Sequence, residues 1–173
     1  MDRSRFVFLA LAAVLAASSL LVYSFQPRGV SRSFQLDAIA RVHRVVDGDT
    51  VWVYSIHGFK EGQRFKVRLA DIDAPEPGKK GYKAARDELN SVLHAATCIV
   101  LDVDDPPYDA YSRVVAVVYV PYSHSHLLNV NTRLVERGVA RYVDYPGSFH
   151  PEDFEYFVEV PPELQSLLRR HCS

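Results

Sequence analysis

Hydrophobic and polar positions divide the chain into two unlike parts. From Phe6 to Gln26 there is no charged residue, and Phe6 to Phe25 is almost wholly Ala, Leu, Val, Phe and Ser. Twenty helical residues rise about 30 Å, the thickness of a bilayer's hydrocarbon core. The run therefore reads as a transmembrane signal-anchor. A cleaved signal peptide and a buried core helix are the competing readings. Val22-Tyr23-Ser24 is a poor cleavage site, and an unbroken apolar run has no polar face to turn to water. Residues 1–5 form a charged flank, 6–25 the apolar segment, and 26–37 a linker carrying Pro27 and Gly29. A folded domain is expected over 38–173.

Inside that domain the pattern alternates between strand and helix periods. Ile39 to Val46 and Thr50 to Tyr54 are rich in Val and Ile and flank the turn signal Asp47-Gly48-Asp49, which predicts a hairpin. His57-Gly58 to Gly62 is a second turn, and Arg64 to Ile72 a third strand. Asp73 to Gly78 contains Pro75 and Pro77 and cannot continue a ladder, because proline donates no hydrogen bond. Lys79 to Ala96 places Tyr82, Ala85, Leu89, Val92, Leu93 and Ala96 on one helical face. Cys98 to Val103 is a fourth strand. Arg113 to Val120 is a fifth, apolar on both faces and so central. Leu127 to Arg137 reads as a second helix ended by Gly138, Val139 to Tyr142 as a short extended piece, and Pro162 to His171 as a last helix. The prediction is an α+β domain: a five-stranded, partly open Greek-key barrel of the OB type with two or three helices, preceded by the N-terminal transmembrane or signal helix.

Composition narrows the chemistry. Lys plus Arg is 20 and Asp plus Glu is 21, a formal charge of −1, so no global positive field draws the chain onto nucleic acid. Any anionic partner must be held by a few placed cations. Two cysteines exclude a disulfide scaffold and a Cys₄ zinc site, though Cys98 and Cys172 could pair with each other outside the cytoplasm. His124 and His126 lie in a polar loop without a third ligand nearby, which argues against a transition-metal site.

Five charged residues sit at strand ends: Asp49, Arg68, Asp73, Glu76 and Arg113. Hard cations such as Ca²⁺ take about six to eight oxygen ligands from carboxylates, carbonyls and water. Asp49, Asp73 and a carbonyl freed from ladder bonding make a plausible half-shell, or the aspartates are only turn formers. Arg68 and Arg113 lie in apolar strands and need a carboxylate partner or an anionic ligand. Strict alternation puts Arg68 and Asp73 on opposite sheet faces, so they converge only if the chain bends or leaves the sheet between them. Tyr111 and Tyr145 are candidates to stack on a base or touch a phosphate, with ordinary half-buried aromatics as the alternative.

Four blocks in order, Val45-Val46-Asp47-Gly48-Asp49-Thr50-Val51, Val67-Arg68-Leu69 leading to Asp73-Ala74-Pro75-Glu76, Asp109-Ala110-Tyr111-Ser112-Arg113, and Leu134-Val135-Glu136-Arg137-Gly138-Val139-Ala140, resemble the staphylococcal-nuclease-like (thermonuclease) family. The resemblance covers about Ala38 to Tyr145. It implies a Ca²⁺-dependent phosphodiesterase acting on DNA and/or RNA from an OB barrel. Asp49, Asp73 and the Ala74 carbonyl would bind Ca²⁺. Glu76 would orient or deprotonate the attacking water, and Arg68 and Arg113 would clamp the phosphate. The chain departs from that pattern at Ser112, where glycine is usual, at Ala74, where threonine is usual, and after Tyr145. An inactive nuclease-like OB module that binds nucleic acid or protein is the alternative. A monomer is expected, held to a membrane through residues 6–25 with its domain outside the cytoplasm, or else secreted. The arginines on the two flanks, Arg3 and Arg5 against Arg28 and Arg32, balance.

Overall fold

A computed structural model describes residues 34–172. The apolar segment 6–25 and most of the 26–37 linker lie outside the described residues. No helix among the described residues is long and apolar enough to cross a membrane.

Strands β1 (Ala38–Val45), β2 (Thr50–Gly58) and β3 (Arg64–Leu69) form an antiparallel meander. β4 is the two-residue piece Ile72–Asp73. Helix α1 (Tyr82–His94) leads to β5 (Ile99–Tyr108) and β6 (Val114–Pro121). β5 pairs with both β1 and β6, and β6 pairs in parallel with β3. The five strands β1, β2, β3, β6 and β5 thus close into a ring, the barrel that the sequence predicts. β6 has three neighbours. Val114 to Ala116 face β3, while Tyr119 to Pro121 face β7 (His126–Asn129) along the same edge. Beyond β7 comes β9 (Phe157–Glu159), and β8 (Arg141–Tyr142) pairs with β4.

β6 is apolar on both faces because it has two cores to serve. Ala116, Val118 and Val120 point into the barrel with Val51, Val67, Leu89 and Leu134. Val117 and Tyr119 point outward under Phe149, Val158, Val160 and Leu168 of the C-terminal segment. That segment, left open by sequence pattern after Tyr145, is an outer layer ending in α3 (Pro162–His171). A Cys98–Cys172 disulfide ties α3 to the entry of β5, with Cα atoms 5.2 Å apart.

Three expectations are corrected. Leu127 to Arg137 is not one helix. His126–Asn129 is a strand, and α2 covers only Val130–Glu136, begun by the Asn129 side chain, which accepts the Thr132 amide at 3.1 Å. Leu127 and Leu128 fit either period, and pairing to β6 and β9 decides between them. Gly138, with φ of 69°, does end α2 as expected. The third strand does not run to Ile72. It stops at Leu69, and Asp71 adopts a left-handed φ of 50° before β4 begins. Helix α1 starts at Tyr82 rather than Lys79, because Gly78 and Gly81 both take positive φ.

Asn131 fixes the break after β3. Wholly buried, it accepts the Val118 amide at 3.0 Å and donates to the Ala70 carbonyl at 2.8 Å. Asn131→Ala leaves both backbone partners buried and unsatisfied, and is expected to cost about 2–4 kcal/mol by denaturant titration. The β5–β6 turn gives an opposite expectation. Ser112 occupies the left-handed region at φ 59°, where a side chain is strained. Ser112→Gly is expected to raise stability by up to about 1 kcal/mol, and an unchanged or lower thermal midpoint would contradict that.

Candidate active site

The β1–β2 turn is held by Asp47, whose carboxylate accepts the Asp49 amide at 3.2 Å. Gly48 lets this turn lie flat. A Cβ there would fall 2.6 Å from that of Ala74 and 2.7 Å from that of Ala85, so the turn abuts both the segment after β4 and helix α1. Asp49 is carried inward to 7% exposure. Its carboxylate accepts the Thr50 hydroxyl at 3.1 Å and the Ala74 amide at 3.0 Å.

Arg68 meets it from β3. Nη2 lies 3.3 Å from Asp49 Oδ2 and 3.9 Å from Asp73 Oδ1, while Nη1 donates to the Leu69 carbonyl at 2.9 Å. The break at Ala70–Asp71 resolves the alternation problem: it turns Asp73 back to the side of the sheet that Arg68 occupies. Burial pushes the Asp49 carboxyl up to about 6, against the lowering effect of Arg68 and of the Ala74 amide. Burial thus outweighs the guanidinium beside it.

Arg113 arrives from the β5–β6 turn. Its Nε donates to Asp109 at 2.7 Å and its Nη1 to the Thr50 hydroxyl at 3.3 Å. Burial alone would raise the Asp109 carboxyl, but the amides of Arg113 and Tyr111 and the Arg113 side chain outweigh it and hold it below the usual range. Thr50 thus joins the arginines: it accepts from Arg113 and donates to Asp49, which pairs with Arg68. Asp73 closes the line by accepting from Arg141 Nη2 at 2.7 Å.

Glu76 stands apart from this network. It is exposed and lines a cleft of about 280 Å³ with Asp73, Ala74, Pro75 and residues 138–141. Among the described residues it makes no ion pair. Tyr111, 81% exposed, lies 5.4 Å from the Arg113 guanidinium, and Tyr145 lies 5.9 Å from that of Arg68. Both tyrosines singled out from sequence thus sit beside the two arginines.

Asp49 and Asp73 both face Arg68 Nη2, Asp73 is also paired with Arg141, and the Ala74 carbonyl lies past the end of β4. This all-oxygen set fits a hard divalent cation in its chemistry. It is a sparse set: among the described residues no three acidic, His or Cys side chains gather into a metal cluster. Three supporting residues escaped the sequence reading. Asp109 carries a local signal, four residues before Arg113 in a turn. Thr50 and Arg141 carry none, because their partners are 63 and 68 residues away. His124 and His126 remain outside the site.

Several known proteins are similar to this chain in sequence. A micrococcal nuclease from Shigella flexneri is 32% identical over 152 residues, covering 86% of this chain and 79% of that protein. A thermonuclease from Staphylococcus intermedius is 32% identical over 110 residues, covering 61% of this chain and 60% of its own. An uncharacterized endonuclease of Escherichia coli is 32% identical over 104 residues, with 60% of each chain covered. The family described as staphylococcal nuclease homologue matches residues 66–159, a span holding Arg68, Asp73, Glu76 and Arg113 but beginning after Asp49. With that match running from within β3 to the end of β9, the chain belongs to the staphylococcal nuclease homologue family.

Proposed function

We propose that this chain is a Ca²⁺-dependent nuclease that hydrolyses phosphodiester bonds in DNA or RNA. The observation that carries the reading is the line Arg113–Thr50–Asp49–Arg68–Asp73, two guanidiniums alternating with two carboxylates beside a cleft that holds Glu76. Arg68 and Arg113 supply fork-shaped donors for the oxygens of a phosphodiester. Each is anchored away from its outer face, Arg68 by Asp49 and the Leu69 carbonyl, Arg113 by Asp109, so little ordering remains when phosphate arrives. Glu76, whose carboxylate has no ion pair among the described residues, takes the proton of the attacking water. Asp49, Asp73 and the Ala74 carbonyl would hold the ion. Bound Ca²⁺ supplies charge neutralisation at the phosphate and a more acidic water.

The disulfide supports a location outside the cytoplasm, since such bonds persist in oxidising compartments. The apolar run of residues 6–25 gives a means of export or attachment. A sparse oxygen site of this kind belongs with weak extracellular Ca²⁺ modules, with Kd of about 10⁻⁴–10⁻³ M.

The test is cleavage of single-stranded DNA and RNA by the purified chain in Ca²⁺ and in EGTA. Activity in Ca²⁺ that EGTA abolishes supports the reading, and equal activity in Mg²⁺ alone rejects the metal assignment. Glu76→Gln is expected to lower the rate ~10²–10⁴-fold with an unchanged melting curve. Wild-type turnover in that variant would remove Glu76 as the base. For location, external protease on intact cells is expected to degrade the folded domain. Protection until lysis would place it inside.

A further inference from the structure

The three strands of the opening meander contain no Asp or Glu, yet carry Arg41, Arg44, Arg64, Lys66 and Arg68 in a chain whose net charge is −1. Strand register sorts these cations. Arg41 lies opposite Tyr54 and Tyr54 opposite Arg64, while Arg44 lies opposite Trp52 and Trp52 opposite Lys66. Directly opposed residues share a sheet face, so the outside of the meander shows two rows, each an aromatic ring between two cations. The next row is Thr50 opposite Arg68, already part of the active-site line. Rows two residues apart are separated by ~6.6 Å. Tyr54 is 40% exposed, and Arg41, Arg44, Arg64 and Lys66 are exposed. Among the described residues none of these four cations is in an ion pair. The Lys66 ammonium lies 5.5 Å from the Trp52 ring centre and covers one face of it. The C-terminal layer packs over outward residues of β1, β5, β6 and β7 and reaches β2 at Ile56 and His57, past the end of these rows.

We propose that this face is a binding track for single-stranded nucleic acid, leading along β2 and β3 into the active site at Arg68. Flanking cations hold successive phosphates, and Tyr54 and Trp52 take unstacked bases, an arrangement that works only where the bases are splayed out. Drawing Lys66 onto a phosphate uncovers the indole. An anionic membrane surface would also attract the cations. The observations favour nucleic acid, because the aromatic rings stand at the centre of each row and the rows run on to a phosphate-type arginine. The inference deepens the nuclease reading and names its substrate as single-stranded, but binding along the track is measurable without turnover.

Trp52 is the sole tryptophan of the chain, so its emission reports the track directly. The full-length protein in EGTA is titrated with oligothymidylate and with phosphatidylserine vesicles. Oligothymidylate is expected to quench Trp52. Replacing Arg41, Arg44 and Arg64 together by Ser is expected to flatten the plot of log affinity against log salt by about 2, and Tyr54→Ser to weaken binding about tenfold. In Ca²⁺, both variants are expected to lose more rate on oligothymidylate than on a dinucleotide, by about tenfold. Unchanged oligothymidylate affinity and salt slope overturn the track. So does loss of vesicle binding alone, which would make the face a membrane contact. Binding through the track without cleavage of either substrate would sink the nuclease reading and leave the track standing. Cleavage with an unchanged substrate ratio would do the reverse.

Discussion

The side-chain amide of Asn131 donates to the Ala70 carbonyl while its oxygen accepts the Val118 amide. That bridge joins helix α2, the centre of β6 and the end of β3 at the point where β3 leaves the ring. A strand continued through Ala70 and Asp71 would keep strict alternation and send Asp73 to the face opposite Arg68. The break, completed by the left-handed Asp71, sets the Asp73 carboxylate 3.9 Å from Arg68 Nη2 instead. The spacing of the charged line therefore rests on one buried amide that has no charge of its own. Burying it without partners would be costly, and both of its ends are satisfied by backbone.

Charge at the site is balanced by alternation rather than by solvent. Asp49 is deeply buried, and its desolvation is offset by Arg68, the Ala74 amide and the Thr50 hydroxyl without being cancelled. Thr50 matters here because a hydroxyl can accept from one side and donate to the other, which lets the two arginines share one carboxylate. Glu76 and Tyr111, by contrast, remain exposed. The rigid groups are the ones with buried partners, and the open ones face the cleft or solvent.

The barrel's outside is divided in the same spirit. Over β5, β6 and β7 the outward Val100, Val117, Tyr119 and Leu127 lie under the C-terminal segment, which the disulfide pins at its far end. Over β2 and β3 the outward Trp52 and Tyr54 stand among cations, and β3 delivers Arg64, Lys66 and Arg68 along one face by simple alternation. A closed ring can afford this asymmetry because its interior core, lined by Val51, Val67, Ala116 and Leu134, does not depend on either outer face.

Sequence by itself determined the periods and their ends. The opening hairpin, the apolar β6, helix α3 over Pro162–His171 and the glycine stop at Gly138 all follow from local patterns, because burial of one face and a left-handed cap are written within a few residues. It also supplied the charged residues in order, and the requirement that something must turn the chain between Arg68 and Asp73. Tertiary structure alone decided what did so. Leu127 and Leu128 became strand because β6 and β9 offered edges to pair with, and the third strand ended early because Asn131 reaches Ala70 across 61 residues. Thr50, Asp109 and Arg141 took their places beside the arginines and Asp73 for the same kind of reason. Periodicity records which side of an element is buried, while the identity of the group it meets there is set by pairings between distant strands.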